Sequence, residues 1–178
     1  FMDVRARQWS EKMLRVIDPK VDLRDRLPDI KTSATPIGTL LPNIAHKLGL
    51  PPGTPVAPGG GDNMMSAIGT GNIRSGVITM SLGTSGTIYS YADKPVVDED
   101  GSIAAFCSSS GGWLPLICTM NCTVGTELMR NLFDTDIVAF EATLQASTRG
   151  AEGILTVPFF NGERTPNIPA AKACLFGL

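Results

Sequence analysis

Val77-Ile78-Thr79-Met80-Ser81-Leu82-Gly83-Thr84-Ser85-Gly86-Thr87-Ile88-Tyr89-Ser90-Tyr91 carries the clearest structural signal in the chain. Ile78, Met80 and Leu82 alternate with Val77, Thr79 and Ser81, the period of two that places successive side chains on opposite faces of a strand. Gly83-Thr84-Ser85-Gly86 supplies turn residues, and Thr87 to Tyr91 returns as a second strand. A hairpin pairing Val77–Leu82 with Thr87–Tyr91 is predicted. Its turn has two readings. The backbone N–H groups and the Thr84 and Ser85 hydroxyls could cradle phosphate oxygens without a lysine. The same residues are also what a plain hairpin turn requires.

Upstream of the hairpin, Thr54 to Ala57 predicts a short strand running into Pro58-Gly59-Gly60-Gly61-Asp62-Asn63. Met64 to Ile68 has helix-forming character, and Gly69 and Gly71 close the segment, so the glycine run reads as a strand-to-helix turn. Glycines let the backbone turn sharply and let a ligand approach closely. Asp62 could therefore accept a proton from a bound hydroxyl, or simply cap the helix. Asn72 to Gly76 reads as a connector. Nearer the start, helices are predicted over Ser10–Ile17, with Ser10 as N-cap, and over Asn43–Leu48, stopped by Gly49.

Downstream, Ile103–Cys107, Trp113–Thr119 and Ile154–Phe159 predict strands, and Asn121–Phe133 and Ile137–Ser147 predict helices. Such an order points to an α/β or α+β architecture with a seam near Asn72–Gly76. The loop Phe159-Phe160-Asn161-Gly162-Glu163-Arg164-Thr165-Pro166 carries a Glu-Arg pair, read as a structural ion pair pinning the loop rather than a clamp for a charged ligand.

Composition narrows the function. Of 178 residues, 43% are hydrophobic and 18% charged, ordinary for a soluble globular protein and enough for a sizeable core. The net charge is −2 and no basic stripe runs along the chain, which argues against a nucleic-acid partner. No apolar run approaches the roughly 18–20 residues that span a bilayer, so neither a membrane partner nor a secreted location is expected, and a cytoplasmic one fits. Cys107, Cys118, Cys122 and Cys174 form no Cys-x-x-Cys pair and read as buried free thiols, although Cys118 and Cys122 could share a helix face. His46, the one histidine, reads as a surface residue. The usual parts of a metal site or a Ser-His-Asp hydrolase are thus missing, and no Gly-x4-Gly-Lys-Ser/Thr loop or protein-kinase loop is present.

Taken in order, Gly59-Gly60-Gly61-Asp62-Asn63, then Ser81-Leu82-Gly83-Thr84-Ser85-Gly86, then Asn161-Gly162-Glu163-Arg164-Thr165-Pro166, the chain resembles the FGGY carbohydrate kinases. Arg7-Gln8-Trp9-Ser10 and Phe176-Gly177-Leu178 also look like segments of the family's xylulose-phosphorylating members. The resemblance implies an actin-like, ribonuclease-H-like α/β fold of two domains, only partly covered by this chain. Residues 1–75 would end the N-terminal, sugar-binding domain and residues 76–178 would begin the C-terminal, ATP-binding one. Asp62 would be the catalytic base, Asn63 a second sugar contact, and Gly83, Thr84, Ser85 and Gly86 a phosphate-binding turn. Thr123 would stand near a nucleotide-contacting helix start.

The implied reaction is ATP-dependent phosphorylation of a sugar hydroxyl with Mg²⁺ on the phosphates. D-xylulose is favoured as the sugar, with ribulose, glycerol or another polyol, or a non-catalytic actin-like nucleotide-binding module, as alternatives. The partners are then a small sugar and ATP, and a homodimer is compatible with this reading. Cys174 departs from the small or β-branched residue usual at its place in the family.

Both ends, Phe1-Met2-Asp3-Val4 and Leu175-Phe176-Gly177-Leu178, read as interior stretches of something longer. The family's first phosphate hairpin and its glycine-rich adenosine segment have no counterpart here. The isolated 178-residue chain is therefore expected to show no ketose-dependent ADP release from ATP, and a coupled assay that detects such release would contradict this reading.

Overall fold

Prolines and capping side chains set several element boundaries. The structure, a computed structural model, describes residues 1–178. In chain order it contains β1 (Met2–Asp3), β2 (Gln8–Trp9), α1 (Glu11–Ile17), β3 (Gly38–Thr39), α2 (Pro42–Leu48), β4 (Pro55–Val56), α3 (Asp62–Gly69), β5 (Ile78–Leu82), β6 (Gly86–Ser90), β7 (Leu116–Thr119), α4 (Thr123–Leu132), α5 (Ile137–Ala146), β8 (Leu155–Val157) and β9 (Cys174–Phe176). Ser10 caps α1, its Oγ accepting from Met13 N at 3.4 Å. α2 starts on Pro42, where the missing N–H is no loss, and ends on Gly49 at φ 67°.

The strands expected over Trp113–Thr119, Ile154–Phe159 and Ile103–Cys107 are shorter or absent, each for a local reason. β7 starts only at Leu116, because Pro115 has no N–H to give a ladder. β8 stops at Val157, ahead of Pro158. Ile103–Cys107 is not a strand: Cys107 makes only an isolated bridge to Trp113. Ser108 N instead bonds Gly112 O at 3.0 Å and Leu114 N bonds Phe106 O at 2.8 Å, closing a loop over the intervening serines and glycines.

The chain falls into two compact units, and the division is not a single cut. One comprises Phe1–Thr79, Ser90–Asp98 and Ala104–Pro115; the other comprises Met80–Tyr89, Glu99–Ile103 and Leu116–Leu178. The chain therefore passes from one unit to the other within β5 and again at the end of β6. The expected division near residue 75 concerns the domains of the whole protein and stays a proposal.

In the first unit β1 and β2 pair antiparallel, Met2 opposite Trp9, and β3 and β4 pair antiparallel, Gly38 opposite Val56. The Arg7 guanidinium lies 4.1 Å from the centroid of the Trp113 ring and donates to Gly111 O and Gly112 O at 2.5 and 3.1 Å. Trp113 Nε1 donates to Val4 O at 2.7 Å, so β1–β2 is tied to the serine-glycine loop. Asn72, fully buried, follows α3. Its Nδ2 donates to Thr79 Oγ1 at 3.1 Å, its Oδ1 accepts from Tyr91 N at 2.9 Å, and Thr79 Oγ1 lies 2.8 Å from Thr70 Oγ1.

In the second unit β6 and β7 pair antiparallel from Gly86 opposite Thr119 to Tyr89 opposite Leu116, with Tyr89 and Leu116 buried. Asp136 caps α5 through Ala139 N at 2.8 Å, and β8 and β9 form a separate antiparallel pair. The sheet order is β5-β6-β7, so the predicted hairpin strands are neighbours.

The face of β5 is set by a hydrogen bond rather than by hydrophobicity. Thr79 is 8% exposed because its hydroxyl is engaged, whereas Ile78, Met80 and Leu82 are 66%, 58% and 65% exposed. Only Leu14, Ala45, Ala67, Tyr89, Leu114 and Leu116 are buried hydrophobic residues. The core is smaller than the composition suggested, because two small units leave much of their apolar surface uncovered.

Asn72→Ala removes the side-chain bonds to Thr79 Oγ1 and from Tyr91 N and strands Tyr91 N in a part-buried position. We expect a loss of about 1–3 kcal/mol in urea unfolding. A change below about 0.5 kcal/mol, the level of an ordinary surface substitution, would mean this node contributes nothing.

Candidate functional site

Candidate site residues occur in both units, one group in each. In the first, Gly59 adopts φ 76°, a conformation that favours glycine, and a Cβ on Gly60 would overlap Ser109 Oγ. Gly61 takes the N-cap position of α3 at φ −66° and ψ 159°, with no side-chain capping bond. Asp62 is therefore the first helical residue and not the cap. Its exposed carboxylate accepts only from the adjacent Asn63 N, at 2.7 Å through Oδ1. The positive end of the helix dipole favours a carboxylate there.

Gly60 and Gly61 form part of the wall of a cleft of about 380 Å³ within this unit, lined also by Arg7, Lys31, Met64, Phe106 and Ser109. The cleft mixes cationic, hydroxyl and apolar groups, as a pocket for a small polar ligand does. Sequence reasoning missed the contributions of residues 30–33 and 106–111. The run Ser108-Ser109-Ser110-Gly111-Gly112 was the one available signal, and it reads equally as a loop.

In the second unit the turn between β5 and β6 is held from outside. Cys122 N donates to Thr84 O at 3.2 Å and Thr123 N to Gly83 O at 2.9 Å, while Gly83 N bonds Ser85 O at 3.1 Å. The structure thus brings Thr123, the first residue of α4, against the Gly83–Gly86 turn. Thr84 and Ser85 are exposed, and their amides and hydroxyls donate to no protein group. Gly86 is buried: a Cβ there would sit 3.1 Å from Thr119 Cγ2 and 3.3 Å from Cys122 Cβ. A larger residue would push β7 away from the turn.

Glu163 corrects the expected Glu-Arg ion pair. Its side chain makes no salt bridge, and Arg164 Nη1 lies instead 3.9 Å from Cys118 Sγ. Glu163 is 4% exposed. Its Oε2 accepts from Thr119 Oγ1 at 2.6 Å and Asn121 Nδ2 at 3.1 Å, and its Oε1 from Met120 N at 2.8 Å and Arg164 N at 2.7 Å. Burial pushes its carboxyl up, but the hydrogen bonds from Thr119, Met120, Arg164 and Asn121 outweigh this and hold it at about 2, against an ordinary 4.5. Asn121 also donates to Gly162 O at 2.6 Å and accepts from Asn161 N at 3.1 Å.

The four cysteines are free; three are half-buried and Cys174 is exposed, so they are less buried than expected. Cys118 lies in β7 and Cys122 precedes α4, so they do not share a helix. His46 is exposed. No group of three or more His, Cys, Asp and Glu is placed to hold a metal ion, and no helix is long and apolar enough to cross a membrane.

The chain has relatives among known proteins. Residues 1–69 match the N-terminal domain of the FGGY family of carbohydrate kinases. The xylulose kinase of Haemophilus influenzae is 45% identical over the whole chain, which covers 36% of that relative. The crystal structure of the xylulose kinase of Bifidobacterium adolescentis is 39% identical with a TM-score of 0.64, over 70% of this chain and 24% of that one. A Brucella ovis structure, also described as a xylulose kinase, is 24% identical and superimposes with a TM-score of 0.88 over 98% of this chain and 36% of that one, a likeness of fold. The chain belongs to the FGGY family of carbohydrate kinases, and it has the α/β fold of the sugar kinases. Within that family it is similar to xylulose kinases, and it spans about a third of the length of the curated relatives it matches (36% of the Haemophilus protein).

The depressed Glu163 carboxyl makes a signed prediction. A folded pKa of about 2 below an ordinary 4.5 contributes stability that is fully present above about 4.5 and is lost as pH falls through about 2. Glu163→Gln should remove that component, so the stability difference between wild type and variant should shrink steadily over this window in denaturant titrations. A difference independent of pH there would contradict the assignment.

Proposed function

We propose that this segment serves the ATP-dependent phosphorylation of a sugar hydroxyl, with D-xylulose as the sugar and D-xylulose 5-phosphate as the product. The observation that carries the reading is Asp62: an exposed carboxylate, free of capping duty, directly after the two glycines that wall the cleft. The names of the similar proteins support the choice of sugar.

In this reading the sugar's primary hydroxyl oxygen attacks the γ-phosphorus in line. The bond from that phosphorus to the bridging oxygen breaks, ADP leaves with the electron pair, and the hydroxyl proton passes to the Asp62 carboxylate. Asn63 stands beside Asp62 as a second sugar contact. The unpartnered Thr84 and Ser85 donors, with Gly83, Gly86 and the Thr123 end of α4, face the phosphates. Mg²⁺ would arrive with the nucleotide and neutralise charge on the phosphates, and the protein's share is positioning and the base. A well-placed base contributes about 10²–10⁴-fold in rate.

Asp62→Asn separates the base from any structural role, because the amide oxygen can still accept from Asn63 N. In the complete protein, ketose phosphorylation should fall by at least ~10²-fold, with ketose binding and Tm little changed. Asp62→Ala should be as inactive and lose about 0.3–1 kcal/mol from the helix dipole, less than a lost cap would cost. Near-normal turnover by Asp62→Asn would sink the assignment. Nucleotide binding with no phosphorylation of any ketose or polyol in a substrate panel would favour a non-catalytic module.

A further inference from the structure

We infer that Glu163 is a positioning residue for the Gly83–Gly86 turn, acting through the corner where β7 passes into α4. The inference rests on the reading of that turn as phosphate-binding. Three observations within the second unit carry it.

First, the corner is the turn's outside support. Cys122 N and Thr123 N hold the consecutive carbonyls of Thr84 and Gly83, and Gly86 packs against Thr119 and Cys122 with no space to spare. Any displacement of residues 119–123 therefore moves the turn or breaks those two bonds. Second, Glu163 grips the residues immediately before those amides: Thr119 by its hydroxyl, Met120 by its backbone and Asn121 by its side chain. Thr119 Oγ1 in turn accepts from Asn121 N at 3.1 Å, so the corner is closed on itself around one carboxylate.

Third, every partner of Glu163 is a donor, which an ionised carboxylate alone can satisfy. An amide in its place could keep Met120 N and Arg164 N on its oxygen. Its NH₂ would then face Asn121 Nδ2, donor against donor. Asn121 would have to turn, giving up Gly162 O or Asn161 N. The carboxylate charge is consumed in shaping the corner, far along the chain from the turn whose geometry depends on it.

A residue that merely stabilised the loop would lower Tm and leave the affinity of the folded enzyme unchanged. A positioning residue alters the nucleotide side of the reaction selectively. In the complete protein, steady-state kinetics on Glu163→Gln should show KM for MgATP raised about fivefold or more, the size expected when a buried charged hydrogen-bond partner is lost. KM for the ketose should stay within about twofold of wild type, a change too small to signal a lost contact.

Thr119→Val removes one hydroxyl of the same network, with its bonds to Glu163 and from Asn121 N, and should shift KM for MgATP in the same direction. It decides the matter alone if Glu163→Gln fails to fold. Unchanged KM for MgATP in these variants, with only a lower Tm, would overturn the inference. The double variant Thr84→Ala/Ser85→Ala separates the two levels of the argument. If it raises KM for MgATP while the Glu163 and Thr119 variants do not, only the positioning role falls. If it too leaves KM for MgATP unchanged, the phosphate-binding reading fails and takes this inference with it.

Discussion

Two backbone hydrogen bonds, Cys122 N to Thr84 O and Thr123 N to Gly83 O, hold the Gly83–Gly86 turn of the second unit from outside. They fix a tight turn whose own residues are too small to hold a shape by contact. α4 begins at Thr123 and not at Asn121 because Cys122 takes φ −115° and ψ −104°, outside the helical region. With so few buried hydrophobic side chains, the unit relies on polar closure at this corner, and Glu163 is its centre. A buried carboxylate surrounded only by donors is stable in that state, because each hydrogen bond favours the charged form over the neutral one.

The first unit uses the same strategy with a neutral group. Asn72 offers a donor to Thr79 and an acceptor to Tyr91 from a fully buried position, which decides that Thr79 and not Ile78 or Met80 faces inward on β5. The Arg7–Trp113 stack plays the corresponding part at the other side, joining the β1–β2 pair to the serine-glycine loop. Buried polar groups left unpaired are costly, so each such node specifies one arrangement as well as stabilising it.

The local parts of this architecture were legible in the sequence. Ser10, Gly49 and the alternating strands of the hairpin announced themselves through capping, turn chemistry and period. Boundaries were missed where proline intervened, at Pro115 and Pro158, and β1 and β2, two residues each, are too short to show any period. The polar nodes were not legible. Asn72 finds a partner 19 positions away and Glu163 one 44 positions away, and nothing in residue type or spacing marks such pairs. Asp62 was legible as a residue of interest, but that it is not the cap needed the backbone, which assigns the cap to Gly61. The glutamate of Glu163-Arg164 was identified as a loop pin, while its partners are neutral donors and not the neighbouring arginine side chain.

The central claim is that Asp62 receives the sugar's proton while the Gly83–Gly86 turn faces the phosphates. The most direct test is a crystal structure of the complete protein with a ketose and a non-hydrolysable ATP analogue. The account predicts an Asp62 carboxylate oxygen about 2.6–3.2 Å from the hydroxyl to be phosphorylated, with Thr84 and Ser85 donors on the nucleotide's phosphates. Asp62 bonded only to Asn63 N while another acid faces that hydroxyl, or Thr84 and Ser85 left in water, would contradict it.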